Sequence, residues 1–179
     1  MSSITLRFLA EPSTVNFGGK VHGGTVMKWI DEAGYACATS WSKRYCVTVF
    51  LGSIRFHRPI MIGDLVEVEA RIAFTGKTSM NISVEVRSGD MKSGTMEKTT
   101  ECLIVFVSVD SHGRPIPAPV YIPEAPADIA LAQQAKAHLE AGWNTLLVKV
   151  TQTAGEWGLA LRLTTPAGEP LADLASRPE

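Results

Sequence analysis

The chain has 179 residues, of which 45% are hydrophobic and 20% charged, and 17 Lys and Arg against 18 Asp and Glu give a net charge of −1. This length and composition predict one globular domain, or one domain with an appendage. The balanced charge disfavours a protein that binds nucleic acid by neutralising phosphates, because such proteins normally carry a basic excess.

Residues 3–109 predict a short strand, a long helix and four further strands. Residues 3–9 alternate apolar and polar side chains and predict a strand. Residues 24–40 are apolar at nearly every helical position and lack proline, which predicts a helix buried on most sides. Four further strands are predicted, with 88–90 as a turn after the third; they cover residues 47–56, 65–74, 79–86 and 99–109. Short connections favour antiparallel neighbours, so we expect an α+β fold with the sheet wrapped around the helix.

The remainder of the chain begins with a proline-rich connector at 115–126. Residues 127–141 have strong helix propensity, and residues 143–165 predict a hairpin. We therefore expect a domain over residues 1–125 and, over 126–179, a C-terminal helix with a hairpin-like extension to which no role is assigned.

Cysteines, histidines and apolar runs bear on the compartment. Cys37, Cys46 and Cys102 are odd in number and scattered, which argues against a disulfide framework and a zinc site. The four histidines do not fall at metal-ligand spacing. The longest apolar runs, such as 103–107, are far below the roughly 20 residues that cross a bilayer, and no secretory signal is visible. We expect a cytoplasmic protein without a metal or a membrane segment.

Candidate chemistry is concentrated where the loop before the long helix meets its first turns. Glycines at 18, 19, 23 and 24 let the backbone approach a ligand, and the first N–H groups of a helix are free donors that can hold an oxyanion. Asp31 lies two turns into the helix, where a carboxylate is costly unless it reaches a cleft, a partner or another chain. Oxyanion donors plus a carboxylate predict acyl transfer to water.

Each of these residues also has a purely structural interpretation. Asp31 and Glu32 together form a solvated stripe in one interpretation. His22 is a loop or N-cap residue in another, and Asn16 forms an Asx-turn. The glycine pair at 23–24 is then a packing device where the helix meets a strand. The pattern alone leaves these alternatives open.

Seven motifs stand in an order and at intervals that resemble the hot-dog-fold acyl-CoA thioesterases, particularly the cytoplasmic acyl-CoA hydrolase branch. The resemblance covers about residues 12–110. The motifs are Asn16-Phe-Gly-Gly, His22-Gly-Gly, Asp31-Glu-Ala-Gly, Val47-Thr-Val, Phe56-His-Arg-Pro-Ile, Ile62-Gly-Asp-Leu-Val and Gly76-Lys-Thr-Ser-Met.

This resemblance implies an enzyme that hydrolyses acyl-CoA to free coenzyme A and a carboxylic acid. It implies a dimer, or a trimer of dimers, with composite active sites. Asp31 is then the catalytic carboxylate, acting as general base or nucleophile, and Asn16 comes from the facing protomer. The N–H groups of Gly23 and Gly24 polarise the thioester carbonyl. Coenzyme A is part of the substrate, so no separate cofactor is expected.

The resemblance also implies where coenzyme A binds. Lys77 is the candidate partner of a phosphate, and Thr78 and Ser79 offer hydroxyl groups from the same turn. His22 and Arg58 are further candidates. The structural alternative for the turn is a plain hairpin with a solvated lysine.

Two alternatives concern the activity, and a third concerns the substrate. A hot-dog hydratase or dehydratase of 3-hydroxyacyl thioesters needs a histidine beside a carboxylate, and His22 lies in the loop nine residues before Asp31. A non-catalytic acyl-CoA-binding module is expected if Asp31 is exposed and away from any interface. The His22-Gly-Gly and Asp31 pattern also fits the phenylacetate-pathway type of thioesterase, which prefers aryl-acyl groups.

Overall fold

The computed structural model describes residues 1–140, and the hairpin predicted at 143–165 lies outside these residues. Five antiparallel strands form one sheet in the order β1-β3-β4-β5-β2. The helices are α1 (Gly23–Ser42) and α2 (Pro126–Glu140), and a short 3-10 turn covers Pro12–Thr14. The strands are β1 (Ser3–Leu9), β2 (Cys46–Phe56), β3 (Asp64–Thr75), β4 (Ser79–Asp90) and β5 (Glu97–Ser108). The predicted α+β fold is confirmed.

Alternating side chains explain why the central strands bury one face. Val66, Val68, Ala70 and Ile72 of β3 are fully buried, while the residues between them are partly exposed. Apolar residues at every second position, three of the four β-branched, fit a pleated strand with one face on the core. This face of the sheet is the one on which α1 lies.

α1 packs against the sheet through small and apolar residues. Trp29, Ile30 and Ala33 are at most 6% exposed. At Gly34 the helix approaches the sheet so closely that a Cβ would lie 2.7 Å from Cε2 of Phe106. The helix is thus held by shape complementarity, which fixes where its other side chains point.

The opposite side of α1 differs from the prediction. The helix was expected to be buried on most sides, but Met27 is 41% and Tyr35 39% exposed, and Asp31 between them is exposed as well. Residues four apart lie on one helical stripe. The prediction was wrong on this stripe because apolar composition does not distinguish a core from an apolar surface.

Two connections also differ from the prediction. Residues 88–90 were expected to form a turn, but they continue β4, where Asp90 pairs with Asp64 of β3. The turn follows at 91–94 instead. β2 and β3, joined by a short loop, are not neighbours, because β2 pairs with β5 and lies at one edge of the sheet. The other strand boundaries agree with the prediction within about three residues.

After β5 the chain passes the end of α1, and α2 then packs against the outer face of the sheet. Trp41 donates from Nε1 to the carbonyl of Pro119 at 3.0 Å, which ties the proline-rich connector to the end of α1. α2 buries Ala132 and Ala135, and its Asp128 accepts a hydrogen bond from Arg71 of β3 at 3.2 Å. The division of the chain at residue 125 stays a prediction. None of the helices in the described part of the chain is long and apolar enough to cross a membrane.

Candidate active site

The carboxylate of Asp31 is held by a threonine of the neighbouring edge strand. Thr48 of β2 donates from Oγ1 to Oδ1 of Asp31 at 2.6 Å. Hydrogen bonds to a carboxylate are short and strong, and this one fixes the carboxylate's orientation while leaving Oδ2 open. A bulge in the β2–β5 pairing follows directly, between Thr48 and Phe50. Sequence reasoning missed Thr48, although the Val47-Thr-Val motif contains it.

Apolar side chains surround this carboxylate on the surface. Met27 and Tyr35 flank Asp31 on α1, and Val49 and Phe50 follow Thr48 on β2, with exposed fractions from 36% to 54%. Large apolar side chains beside a strand edge that no strand of residues 1–140 covers are typical of an interaction surface. Asp31 is exposed in the single chain, but it lies within this apolar surface and not on a solvated stripe of polar residues.

The loop before α1 is ordered around Asn16. Its Oδ1 accepts hydrogen bonds from the N–H groups of Gly18 (2.9 Å) and Lys20 (3.3 Å), so the Asx-turn interpretation is confirmed. Gly19 follows with φ of 72°, a conformation that favours glycine. Because the turn engages only the oxygen of Asn16, its amide NH2 remains as a donor.

The first turn of α1 presents free backbone donors. Thr25 and Val26 donate their N–H groups to the carbonyl of His22, which is the N-cap residue, although its imidazole makes no capping bond. Among residues 1–140, no acceptor receives the N–H of Gly23 or Gly24. A Cβ at 24 would meet nothing within 4 Å, and one at 23 would make ordinary contact with Phe56 at 3.7 Å. Packing therefore does not require these glycines.

A pocket of about 340 Å³ opens beside this end of α1. Its lining includes Gly23, Val26, Phe56, Arg58, Ile60 and Thr100. The guanidinium of Arg58 is paired with Glu97, and Nε2 of His57 lies 3.4 Å from Glu101. Arg58, predicted as a coenzyme A contact, is therefore already paired with a carboxylate, and the adjacent His57 lies beside another.

The turn between β3 and β4 is a hairpin closed by the N–H of Gly76, which donates to the carbonyl of Ser79 at 2.9 Å. Lys77 is exposed, while Thr78 and Ser79 are half-buried. Ser79 pairs with Val107 of β5, which in turn pairs with Val47 of β2. The turn thus lies at the Thr48 end of the sheet.

The predicted site residues therefore fall into two groups. Asp31 and the turn with Lys77 lie on the side of Thr48 and form one group; the glycines form the other, beside the pocket. Asp31 lies about 12 Å along α1 from Gly23, and Thr48 about 26 Å along β2 from Phe56. One chain does not bring the carboxylate and the helix N-terminus together.

Comparison with known proteins identifies the family to which the chain belongs. Residues 18–95 match the Thioesterase superfamily. The acyl-CoA thioester hydrolase YciA of Salmonella typhimurium is 37% identical over 120 residues, 65% of this chain and 90% of that protein. The chain belongs to the hot-dog-fold acyl-CoA thioesterase family. The family, the fold and the thioesterase class predicted from the seven motifs are thereby confirmed.

Two solved structures of this family add detail. A hexameric acyl-CoA thioesterase superposes with a TM-score of 0.74 at 31% identity, covering 77% of this chain and 88% of that one. The acyl-CoA hydrolase of Staphylococcus aureus, in complex with butyryl coenzyme A, gives 0.72 at 25% identity, covering 77% and 84%. Alanine variants of that hydrolase replace an aspartate, an asparagine 15 residues before it and a threonine 17 residues after it.

Proposed function

We propose that this thioesterase hydrolyses acyl-CoA with Asp31 as the catalytic carboxylate, Thr48 as its positioning residue and Asn16 as a donor to the substrate. The hydrogen bond between Thr48 and Asp31 carries the proposal, because it orients a carboxylate that the local sequence left ambiguous. The spacing of Asn16, Asp31 and Thr48, 15 and 17 residues, equals that of the three residues replaced in the Staphylococcus aureus hydrolase.

The reaction needs only groups that the chain supplies. Asp31 takes a proton from water through Oδ2 while the water oxygen attacks the thioester carbonyl carbon. The N–H groups of Gly23 and Gly24 hold the carbonyl oxygen as it becomes negative. The C–S bond then breaks, the coenzyme A thiolate takes the proton that Asp31 had removed from water, and the carboxylic acid leaves. Since these groups suffice, we propose that no separate cofactor takes part.

The site is composite in this proposal. α1 separates Asp31 from the glycine donors of its own chain by about 12 Å. β2 is an edge strand with apolar neighbours, and two such edges related by a two-fold axis pair antiparallel. The Thr48 end of one β2 then lies beside the Phe56 end of the other, so Asp31 of one subunit faces Gly23 of the second. Hexamers among the relatives support three such dimers per assembly.

The same pairing places the coenzyme A candidates near one another. Lys77, Thr78 and Ser79 lie at the Thr48 end, and His22 and Arg58 lie at the end that the second subunit contributes. Lys77 is exposed, and its ammonium is the better candidate for a phosphate because Arg58 is paired with Glu97. The three cysteines are free and buried, in keeping with the cytoplasmic location we propose.

The alternatives find less support. A hydratase needs a histidine beside the carboxylate, but His22 lies at the start of α1, about 13 Å along the helix from Asp31. A non-catalytic module would leave Asp31 in solvent away from any interface, whereas it lies among uncovered apolar side chains and is oriented by Thr48.

Thiol release from a panel of short, medium, long and aryl-acyl-CoAs tests the proposal. Asp31→Asn should lower kcat by about a hundredfold to ten thousandfold, because a positioned general base contributes on that scale. Glu32→Gln is the matched control, since Glu32 is the adjacent carboxylate on α1 and forms only a surface pair with Lys28 at 3.6 Å. It should retain wild-type turnover.

Two outcomes contradict the proposal in different ways. If Asp31→Asn has the same kcat as Glu32→Gln, the protein is a thioesterase but Asp31 is not its catalytic residue. If the wild type releases no thiol from any acyl-CoA, the activity itself is wrong.

A further inference from the structure

Thr100 of β5 carries a buried hydroxyl group that the protein does not use. Its side chain is 0% exposed, and Oγ1 has no hydrogen-bond partner among residues 1–140. The adjacent Thr99 differs, since its Oγ1 donates to the carbonyl of Val86 at 3.1 Å. Buried polar groups are nearly always paired, and a valine would fill the same volume without this cost. The unpaired hydroxyl therefore points to a ligand.

Thr100 lies in the wall of a pocket, where its hydroxyl is covered by neighbouring atoms. Thr100 alternates with Cys102 and Ile104 along β5, so it is on the face of the sheet that packs against α1. It lines the pocket of about 340 Å³ at the N-terminus of that helix, together with Gly23. The wall of one pocket thus includes a threonine with an unpaired, covered hydroxyl and borders on a free backbone N–H.

The rest of the pocket wall is suited to a short acyl group. Val26, Phe56 and Ile60 supply apolar surface, and the volume is near the lower end of the range for small-molecule sites. Arg58 adds no uncompensated positive charge, because Glu97 neutralises it. The polar partner of Thr100 is therefore a neutral oxygen and not a second carboxylate.

We propose that Thr100 is a specificity-determining residue that selects short acyl groups carrying a hydroxyl or keto oxygen beyond the thioester carbonyl. This rests on the proposed function, in which Gly23 holds the carbonyl oxygen at the pocket mouth. The acyl chain then extends into the pocket, and its additional oxygen pairs with Oγ1 of Thr100 once the side chains that cover this atom shift. A saturated chain of equal length leaves that hydroxyl unpaired.

The test compares wild type, Thr100→Val and Thr100→Ser on butyryl-, 3-hydroxybutyryl-, 4-hydroxybutyryl- and succinyl-CoA. Wild type should favour one hydroxyacyl-CoA over butyryl-CoA in kcat/KM by about tenfold or more, since a site that hydrogen-bonds a substrate group rejects the analogue lacking it. Thr100→Val should abolish this ratio by lowering kcat/KM for the preferred hydroxyacyl-CoA, and Thr100→Ser should keep it. The melting temperature of Thr100→Val should not fall.

Several results would overturn the proposal while leaving the thioesterase activity intact. An unchanged ratio of kcat/KM in Thr100→Val would do so. An equal loss of kcat/KM on all four substrates would also do so, because it would mean that the hydroxyl contacts the thioester carbonyl that they share. A preference of the wild type for succinyl-CoA would show that a charge is recognised. A marked fall in melting temperature would mean that the hydroxyl has a structural partner. A wild type that hydrolyses no acyl-CoA would instead refute the proposed function.

Discussion

Removing the hydroxyl of Thr48 should slow catalysis without weakening substrate binding. Thr48→Val keeps the β-branched shape but deletes the donor that lies 2.6 Å from Oδ1 of Asp31. Without it the carboxylate is free to rotate away from the position in which Oδ2 meets the attacking water. Thr48 itself touches neither the thioester nor coenzyme A in the proposed site.

The magnitude follows from the kind of hydrogen bond. A bond to a charged group contributes about 1.5–3 kcal/mol, and each 1.4 kcal/mol is about a factor of ten in rate. We therefore expect kcat to fall by about tenfold to a hundredfold with KM nearly unchanged. The free energy of unfolding should fall by about 1 kcal/mol or less, because Thr48 and Asp31 are exposed, so water replaces much of the lost bond, and valine suits a strand.

Steady-state thiol release from butyryl-CoA measures both constants, and Thr48→Ser is the matched control because it restores the hydroxyl. An unchanged kcat in Thr48→Val would refute the positioning role. So would a higher KM at constant kcat, because that pattern indicates lost ground-state binding.

Two further predictions concern stability, each measured by urea unfolding. Gly34→Val should lower the free energy of unfolding by roughly 1–3 kcal/mol, because its Cβ would lie 2.7 Å from the ring of Phe106; an unchanged value would mean that α1 lies farther from the sheet. Lys98→Met should lower it by up to about 1 kcal/mol at pH 7, because the hydrogen bond from Lys98 holds the pKa of Glu101 below its ordinary value. A depressed carboxyl pKa stabilises the fold above the ordinary pKa of about 4.3, so the difference from wild type should vanish as the pH falls below both values. If Lys98→Met and wild type still differ in the free energy of unfolding in acid, the lowered pKa of Glu101 is not the reason for the difference.

The sequence predicted much of the fold because its local signals agree with the tertiary structure. Strand alternation and the glycines before α1 located β1, β3 and the helix start closely. Ser88 to Asp90 have turn chemistry, yet pairing with β3 draws them into β4. Local propensity is a weak prior where a long neighbouring strand offers hydrogen bonds.

The candidate site was predictable in part. Asp31 and Asn16 stand out because a carboxylate on an apolar helix and an asparagine before glycines are unusual. Thr48 does not, because threonine is common in strands and only its contact with α1 distinguishes it. The exposed stripe of α1 could not be predicted either, because an apolar interface and an apolar core have the same composition.

The central claim is that Asp31 of one subunit acts on a thioester held by another, and subunit mixing tests it most directly. Asn16→Asp removes the amide donor but keeps an oxygen that can accept the hydrogen bonds of the Asx-turn. Asp31→Asn and Asn16→Asp alone should each lose about a hundredfold or more in thiol release.

When the two variants are co-expressed with different tags and purified as mixed assemblies, some interfaces combine an intact Asp31 with an intact Asn16. Random assembly restores about a quarter of the wild-type sites, so about a quarter of the wild-type rate should return. If each site belonged to a single chain, every site would carry one lesion. Mixed assemblies as inactive as their parents would contradict the account.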